Sequence, residues 1–103
     1  MIARIWHGWT TPDNASAYET LLRNEIFAMI SDMQIAGYYG IELLRRDREH
    51  EVEFITIMHF ASLEAVISFA GEEYEHAFVP EAARMLLKRY DRLSQHYEVL
   101  ERR

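Results

Sequence analysis

With 103 residues the chain can bury one core but not two, and at 50% hydrophobic and 27% charged residues it lies far from the composition of disordered chains. A net charge of -6 with no basic face argues against nucleic acid as a partner, and the absence of cysteine excludes disulfides, thiolate nucleophiles and Cys-ligated metal sites. No signal-peptide pattern and no run approaching the roughly 20 apolar residues of a membrane span is found, so no membrane partner is expected and the expected location is cytoplasmic.

The first strand is expected over residues 2 to 9, β-rich and aromatic, ending at Thr10-Thr11-Pro12. Thr11 can cap a helix whose first turn accepts Pro12. Tyr18, Leu21, Leu22, Ile26, Met29, Ile30 and Met33 then recur at steps of three and four, which predicts an amphipathic helix of about five turns. Gly37 stops it, and the alternation of Tyr39, Ile41 and Leu43 predicts a second strand, followed by a hairpin turn within Arg45 to Glu51.

Val52 to Phe60 has few polar positions, as expected of a central strand covered on both faces. Ser62 caps a predicted second helix, Leu63 to Ala70, with Gly71 as its stop. An acidic aromatic loop follows from Glu72 to Phe78, then a short helix from Pro80 that carries Ala83, Met85, Leu86 and Leu87. The last strand is expected over Leu93 to Leu100. The basic clusters Arg45-Arg46 and Lys88-Arg89 alternate with acids and read as solvated strand ends. No repeat, low-complexity tract or linker interrupts this order, so residues 1-103 form one expected domain.

Strand, helix, strand, strand, helix, strand contains two crossovers, and right-handed connection leaves few topologies for it. The expected fold class is therefore α+β, a ferredoxin-like β-α-β-β-α-β domain with an antiparallel sheet, strands one and three in its centre and both helices on one face. Those central strands carry apolar residues on both parities: Ile2 and Trp6 against Ile5 and Trp9, Phe54 and Met58 against Ile55 and Ile57. A bare sheet would expose several hundred Å² of apolar surface, which monomers rarely tolerate, so two sheets packed face to face in a homodimer are expected.

The opening Ile2-Ala3-Arg4-Ile5-Trp6-His7-Gly8, the helix start Ser62-Leu63-Glu64-Ala65-Val66 followed by Phe69, and the closing His96-Tyr97-Glu98-Val99 resemble small members of the antibiotic biosynthesis monooxygenase domain family, of the dimeric α/β-barrel superfamily. The resemblance implies a pocket between sheet and helices in each subunit. In some members it serves cofactor-independent oxygenation of aromatic, polyketide-like or quinol substrates, and in others haem opening. The haem-degrading branch uses an asparagine on strand one, a tryptophan near helix two and an iron-binding histidine beyond it. His76 matches the last, but strand one has no asparagine and helix two offers Phe69, so haem is disfavoured and no cofactor or metal is expected.

Candidate chemistry rests on histidines, which titrate near neutral pH and can take a phenolic or enolic proton. His7, His59 and His96 fall on strands expected to be neighbours. A parallel register between strands one and three would bring His7 and His59 close together. His7, His59 and His76 are thus the candidate catalytic residues. Interface packing of His7, His59 and His96 is the competing reading, and a three-histidine metal site has no spacing signature to support it. Trp6, Trp9, Phe69, Tyr74 and Phe78 are the candidate substrate-binding residues, the two tryptophans on opposite faces of strand one. Methionines 29, 33, 58 and 85 read as core. Arg4, a charge on a central strand, wants a carboxylate or an anionic ligand, and a salt bridge across the interface is the expected use.

Two functions remain open at this point. One is a small monooxygenase-like enzyme acting on an aromatic or quinol substrate without a bound metal. The other is a non-catalytic dimeric module of the same fold that binds a small apolar molecule or assembles with a partner.

Overall fold

A computed structural model describes all 103 residues. The strands are β1 (Ile2–Thr10), β2 (Tyr38–Asp47), β3 (Val52–Phe60), β4 (Leu87–Tyr90) and β5 (Gln95–Glu98). The helices are α1 (Ala15–Leu21), α2 (Phe27–Asp32), α3 (Leu63–Ala70) and α4 (Glu81–Arg84), and a π-helical turn (Leu22–Ile26) joins α1 to α2.

The sheet is antiparallel in the order β2-β3-β1, with β4 and β5 following one another along the free edge of β1. This is the ferredoxin-like order, its last strand divided in two. β4 pairs with Gly8 to Thr10 and β5 with Ile2 to Ile5. The sequence predicted one strand over Leu93 to Leu100 and placed Leu87 in a helix. Instead the chain turns at Met85 and Leu86 into the sheet at Leu87, leaves it at Asp91 to Ser94, and rejoins it at Gln95.

The predicted caps form. Thr11 Oγ1 accepts from Asn14 N at 3.3 Å, and Ser62 Oγ accepts from Ala65 N at 3.2 Å, each closing an otherwise orphan donor. Gly37 turns the chain at φ 83°, where a side chain is strained, and an added Cβ would stand 3.0 Å from Ala65 Cβ, so glycine also lets α3 approach. The hairpin turns at its far end, with Arg48 N donating to Glu51 O at 2.9 Å.

The helical run buries Tyr18, Leu22 and Ile30 and half-buries Ile26. These residues stand four apart, and on a uniform α-helix three such steps would drift by about 120° around the axis. The wider winding of the π turn, where Phe27 N–H reaches back to Leu22 O, offsets that drift and keeps all four toward the sheet. Met29 and Met33 consequently point away, at 41% and 43% exposure, and Met85 is 77% exposed, so of the four methionines expected in the core only Met58 is buried.

The covered face holds two hydrophobic clusters. One gathers Tyr18, Leu22, Val52 and Phe54, the other Ile30, Met58, Phe60, Ala65 and Val66. No helix is long and apolar enough to cross a membrane.

Candidate functional site

Alternation along β1 sends Arg4 and Trp6 to the helix-covered face and Ile5, His7 and Trp9 to the open one. Between sheet and helices lies a cavity of about 70 Å³, at the level of the π turn. Leu22, Ile26, Phe27, Met58 and Phe69 give it apolar walls, Tyr18, Thr56 and Ser94 contribute hydroxyls, and Phe78, itself 60% exposed, stands where the cavity meets solvent. Twelve of the 16 lining residues are hydrophobic, so the few polar groups decide what orientation a guest can take.

The Trp6 indole is fixed at both ends. Its Nε1 donates to Asp91 O at 2.7 Å, and its ring lies over Gly8, where an added Cβ would meet Trp6 Cη2 at 2.7 Å. Glycine at position 8 is what lets the ring lie down along β1.

Arg4 is the unusual member. It is 4% exposed, yet no carboxylate pairs with it. Its Nη1 donates to the Tyr74 carbonyl and, at 2.9 Å, to His96 Nε2, and its Nη2 donates to the His76 carbonyl at 3.3 Å. The Phe69 ring lies 5.7 Å from the guanidinium carbon. Burial lowers the Arg4 pKa to about 10, still far enough above neutrality to leave it charged. Because arginine has no acceptor, the His96 nitrogen facing it must be the bare one, which makes His96 a neutral Nδ1–H tautomer. Burial, and secondly Arg4, hold the His96 pKa below its ordinary value.

The sequence placed Arg4 in a salt bridge across the subunit interface. It instead faces the helices, because the parity that carries Ile2 and Trp6 is the covered one.

The candidate histidines do not come together. β1 and β3 are antiparallel, with Ala3 opposite His59 and His7 opposite Ile55, so the parallel register that would have joined them is replaced by one that sets them roughly 13 Å apart along the sheet. Both lie on the open face: His7 Nδ1 is 2.8 Å from Glu53 Oε2, and His59 Nδ1 is 4.0 Å from Glu42 Oε1. His76 lends its backbone carbonyl to Arg4 while its imidazole, 68% exposed, turns to Glu73 at 3.3 Å. No three His, Asp or Glu side chains are placed together so that they could hold a metal ion.

Of the candidate binding residues, Trp6, Phe69 and Phe78 line the cavity. Tyr74 stands behind it, its carbonyl on Arg4 and its ring edge-on to His96 at 5.1 Å between centroids. Trp9 is on the other face, with Arg89 stacked over its ring at 3.8 Å. Sequence reasoning missed Thr56 and Ser94 as wall residues and the contact of His96 with Arg4. The signal available was register: once β1 and β5 are neighbours, His96 and Arg4 face each other on one parity. Comparison of the chain with protein-family models and with curated proteins gives no match.

Proposed function

We propose that the protein is a homodimeric module that binds a small, largely apolar molecule in the cavity beneath the π turn. The observation that carries this reading is the cavity itself: an apolar wall on the covered face, with an aromatic residue fixed along one side and a single buried cation among its polar groups. As it stands the cavity has room for about two waters. A planar guest enters when Phe78, on the irregular stretch between α3 and α4, turns outward.

Association of two copies through the open face accounts for Ile5, Ile55 and Ile57, apolar residues in mid-sheet with no covering layer in the single chain. Leu44 and Tyr97, at 41% and 51% exposure, extend that surface across the sheet. Two of the polar groups around it are already engaged within the chain, His7 with Glu53 and Arg89 over Trp9, which favours an apolar, self-complementary contact with a second copy.

The oxygenase implied by the sequence resemblance would use the same cavity. It needs a proton acceptor there, and the nearest imidazole, His96, has one nitrogen already engaged by Arg4. Binding without chemistry is therefore the better supported reading.

The test is titration of a Trp9→Phe dimer, in which Trp6 is the sole tryptophan, with indole and toluene. Saturable quenching or shift of Trp6 emission by either compound is the expected result, with tighter binding in Phe78→Ala. No change in emission and no heat of binding would overturn the reading. Dioxygen uptake with an added quinol would instead favour the enzyme.

A further inference from the structure

The cavity has a polar element that an apolar guest leaves unused. Arginine carries five N–H donors, and the two carbonyls and one imidazole around Arg4 engage three of them. Both Nη1 protons are spent. One N–H on Nη2 and the N–H on Nε find no protein acceptor.

These are adjacent nitrogens, and N–H groups on adjacent guanidinium nitrogens match the two oxygens of a carboxylate. The same cavity is also lined by Thr56, opposite Trp6 in the register, and Ser94, one residue before β5, and neither hydroxyl is engaged by another side chain. A buried cation is ordinarily balanced by a buried anion, because an uncompensated charge away from water is costly. Here the protein supplies none: its nearest ionisable neighbour, His96, must stay neutral to accept from Nη1.

Clamping the loop after α3 explains part of this arrangement, since Arg4 holds the carbonyls of Tyr74 and His76. It does not explain why Arg4 lines a cavity rather than lying wholly among packed side chains.

We infer that the cavity takes a small planar monocarboxylate, its carboxylate seated on the free edge of Arg4 and its ring between Trp6 and Phe69. The inference rests on the binding reading above and adds to it the charge and geometry of the ligand. The neutral His96 and the backbone carbonyls hold the guanidinium in place from behind, so that its free edge is fixed before the ligand arrives. The overall charge of -6 gives no long-range attraction for an anion, so selectivity has to come from this one contact.

Benzoate and benzamide are the probes, being nearly the same size and differing in charge. Calorimetric titration of the unmodified dimer is expected to show benzoate binding at least about tenfold more tightly than benzamide, as a charge-assisted pair in a shielded site allows. Arg4→Met is expected to erase the preference while benzamide binding persists. Should that variant fail to fold, the side-chain Nε–H resonance of Arg4 in the unmodified protein provides the readout, and it is expected to move with benzoate and not with benzamide. Equal affinity for the two probes, a preference retained in Arg4→Met, or an Arg4 resonance that ignores benzoate would each overturn the carboxylate site and leave the apolar cavity standing. If neither probe binds, the carboxylate site and the cavity reading fall together.

Discussion

Both faces of the sheet are apolar along β1 and β3, yet they hold their residues in different ways. On the covered face Val52, Phe54, Met58 and Phe60 are each at most 5% exposed and packed by the helices. On the open face Ile5, Ile55 and Ile57 occupy the same strands with nothing above them. Polar groups divide in the opposite sense: the open face engages His7 with Glu53 and Arg89 over Trp9, whereas the covered face keeps one buried arginine without a carboxylate. The proposed function gives the two faces separate duties. Substitutions on the covered face should act on folding and ligand, and those on the open face on association.

The strongest way to break that comparison is Phe54→Ala. Phe54 is fully buried and meets Tyr18 edge-on with centroids 4.9 Å apart, so truncation removes both its own burial and the surface against α1. A loss of about 3–5 kcal/mol is expected from the urea-unfolding curve of a core phenylalanine. A loss below about 1 kcal/mol would mean that the covered face is not the folding core.

Ile57→Lys is the matching change on the open face. It puts a charge at the centre of the sheet, paired with Ile5 on one side and Glu42 on the other. In the proposed dimer that charge would be desolvated, so the dissociation constant should rise on the order of 100-fold or more, read by sedimentation. The monomer's own stability should change by less than about 1 kcal/mol, since solvent reaches the site before association. Unfolding without prior dissociation would show the two faces to be one cooperative core.

Gly8→Ala sharpens the picture on the cavity side. The new Cβ would lie 2.7 Å from Trp6 Cη2, 3.0 Å from Cζ3 and 3.1 Å from Leu87 Cδ2, so the indole must lift. The expected cost is about 1–3 kcal/mol, with altered Trp6 emission and weaker ligand binding. Unchanged emission in a Trp9→Phe background would show that the ring does not depend on the glycine.

Much of this architecture could be read directly from residue order. The Thr11 and Ser62 caps, the Gly37 turn and the central position of β3 follow from local chemistry and patterning. What escaped was relational. The position of His7 relative to His59 depends on strand direction, and a β1 to β2 crossover followed by a β2 to β3 hairpin makes β1 and β3 antiparallel, a step that local spacing does not supply. Leu86 and Leu87 continue a helical spacing from Ala83, and only the vacant edge of β1 draws Leu87 into the sheet. The π turn leaves no composition signal, because it is set by the need to keep Tyr18, Leu22, Ile26 and Ile30 on one face. Arg4 was singled out from sequence as a charge in need of a partner, but which face it took waited on knowing which parity the helices cover.

The smallest effect concerns His96 and separates the polar side of the cavity from the histidines of the open face. Its bare Nε2 faces the Arg4 guanidinium, so protonation there would set two cations against each other in a partly buried site. Burial first and Arg4 second lower its pKa from the ordinary 6.5, while Glu75 opposes the shift. The unfolded chain therefore takes up the proton more readily than the folded one. The stability this group contributes is present in full above about pH 6.5 and is lost as pH falls through the lower folded value. Glutamine can accept the same hydrogen bond from Arg4 without titrating. The difference in urea midpoint between the native protein and His96→Gln should thus change between about pH 7.5 and pH 5.5, with the native protein losing more on acidification. A difference that stays constant across that range would mean that His96 does not face Arg4 in its neutral form, and the rigid backing of the guanidinium would have to come from the Tyr74 and His76 carbonyls alone.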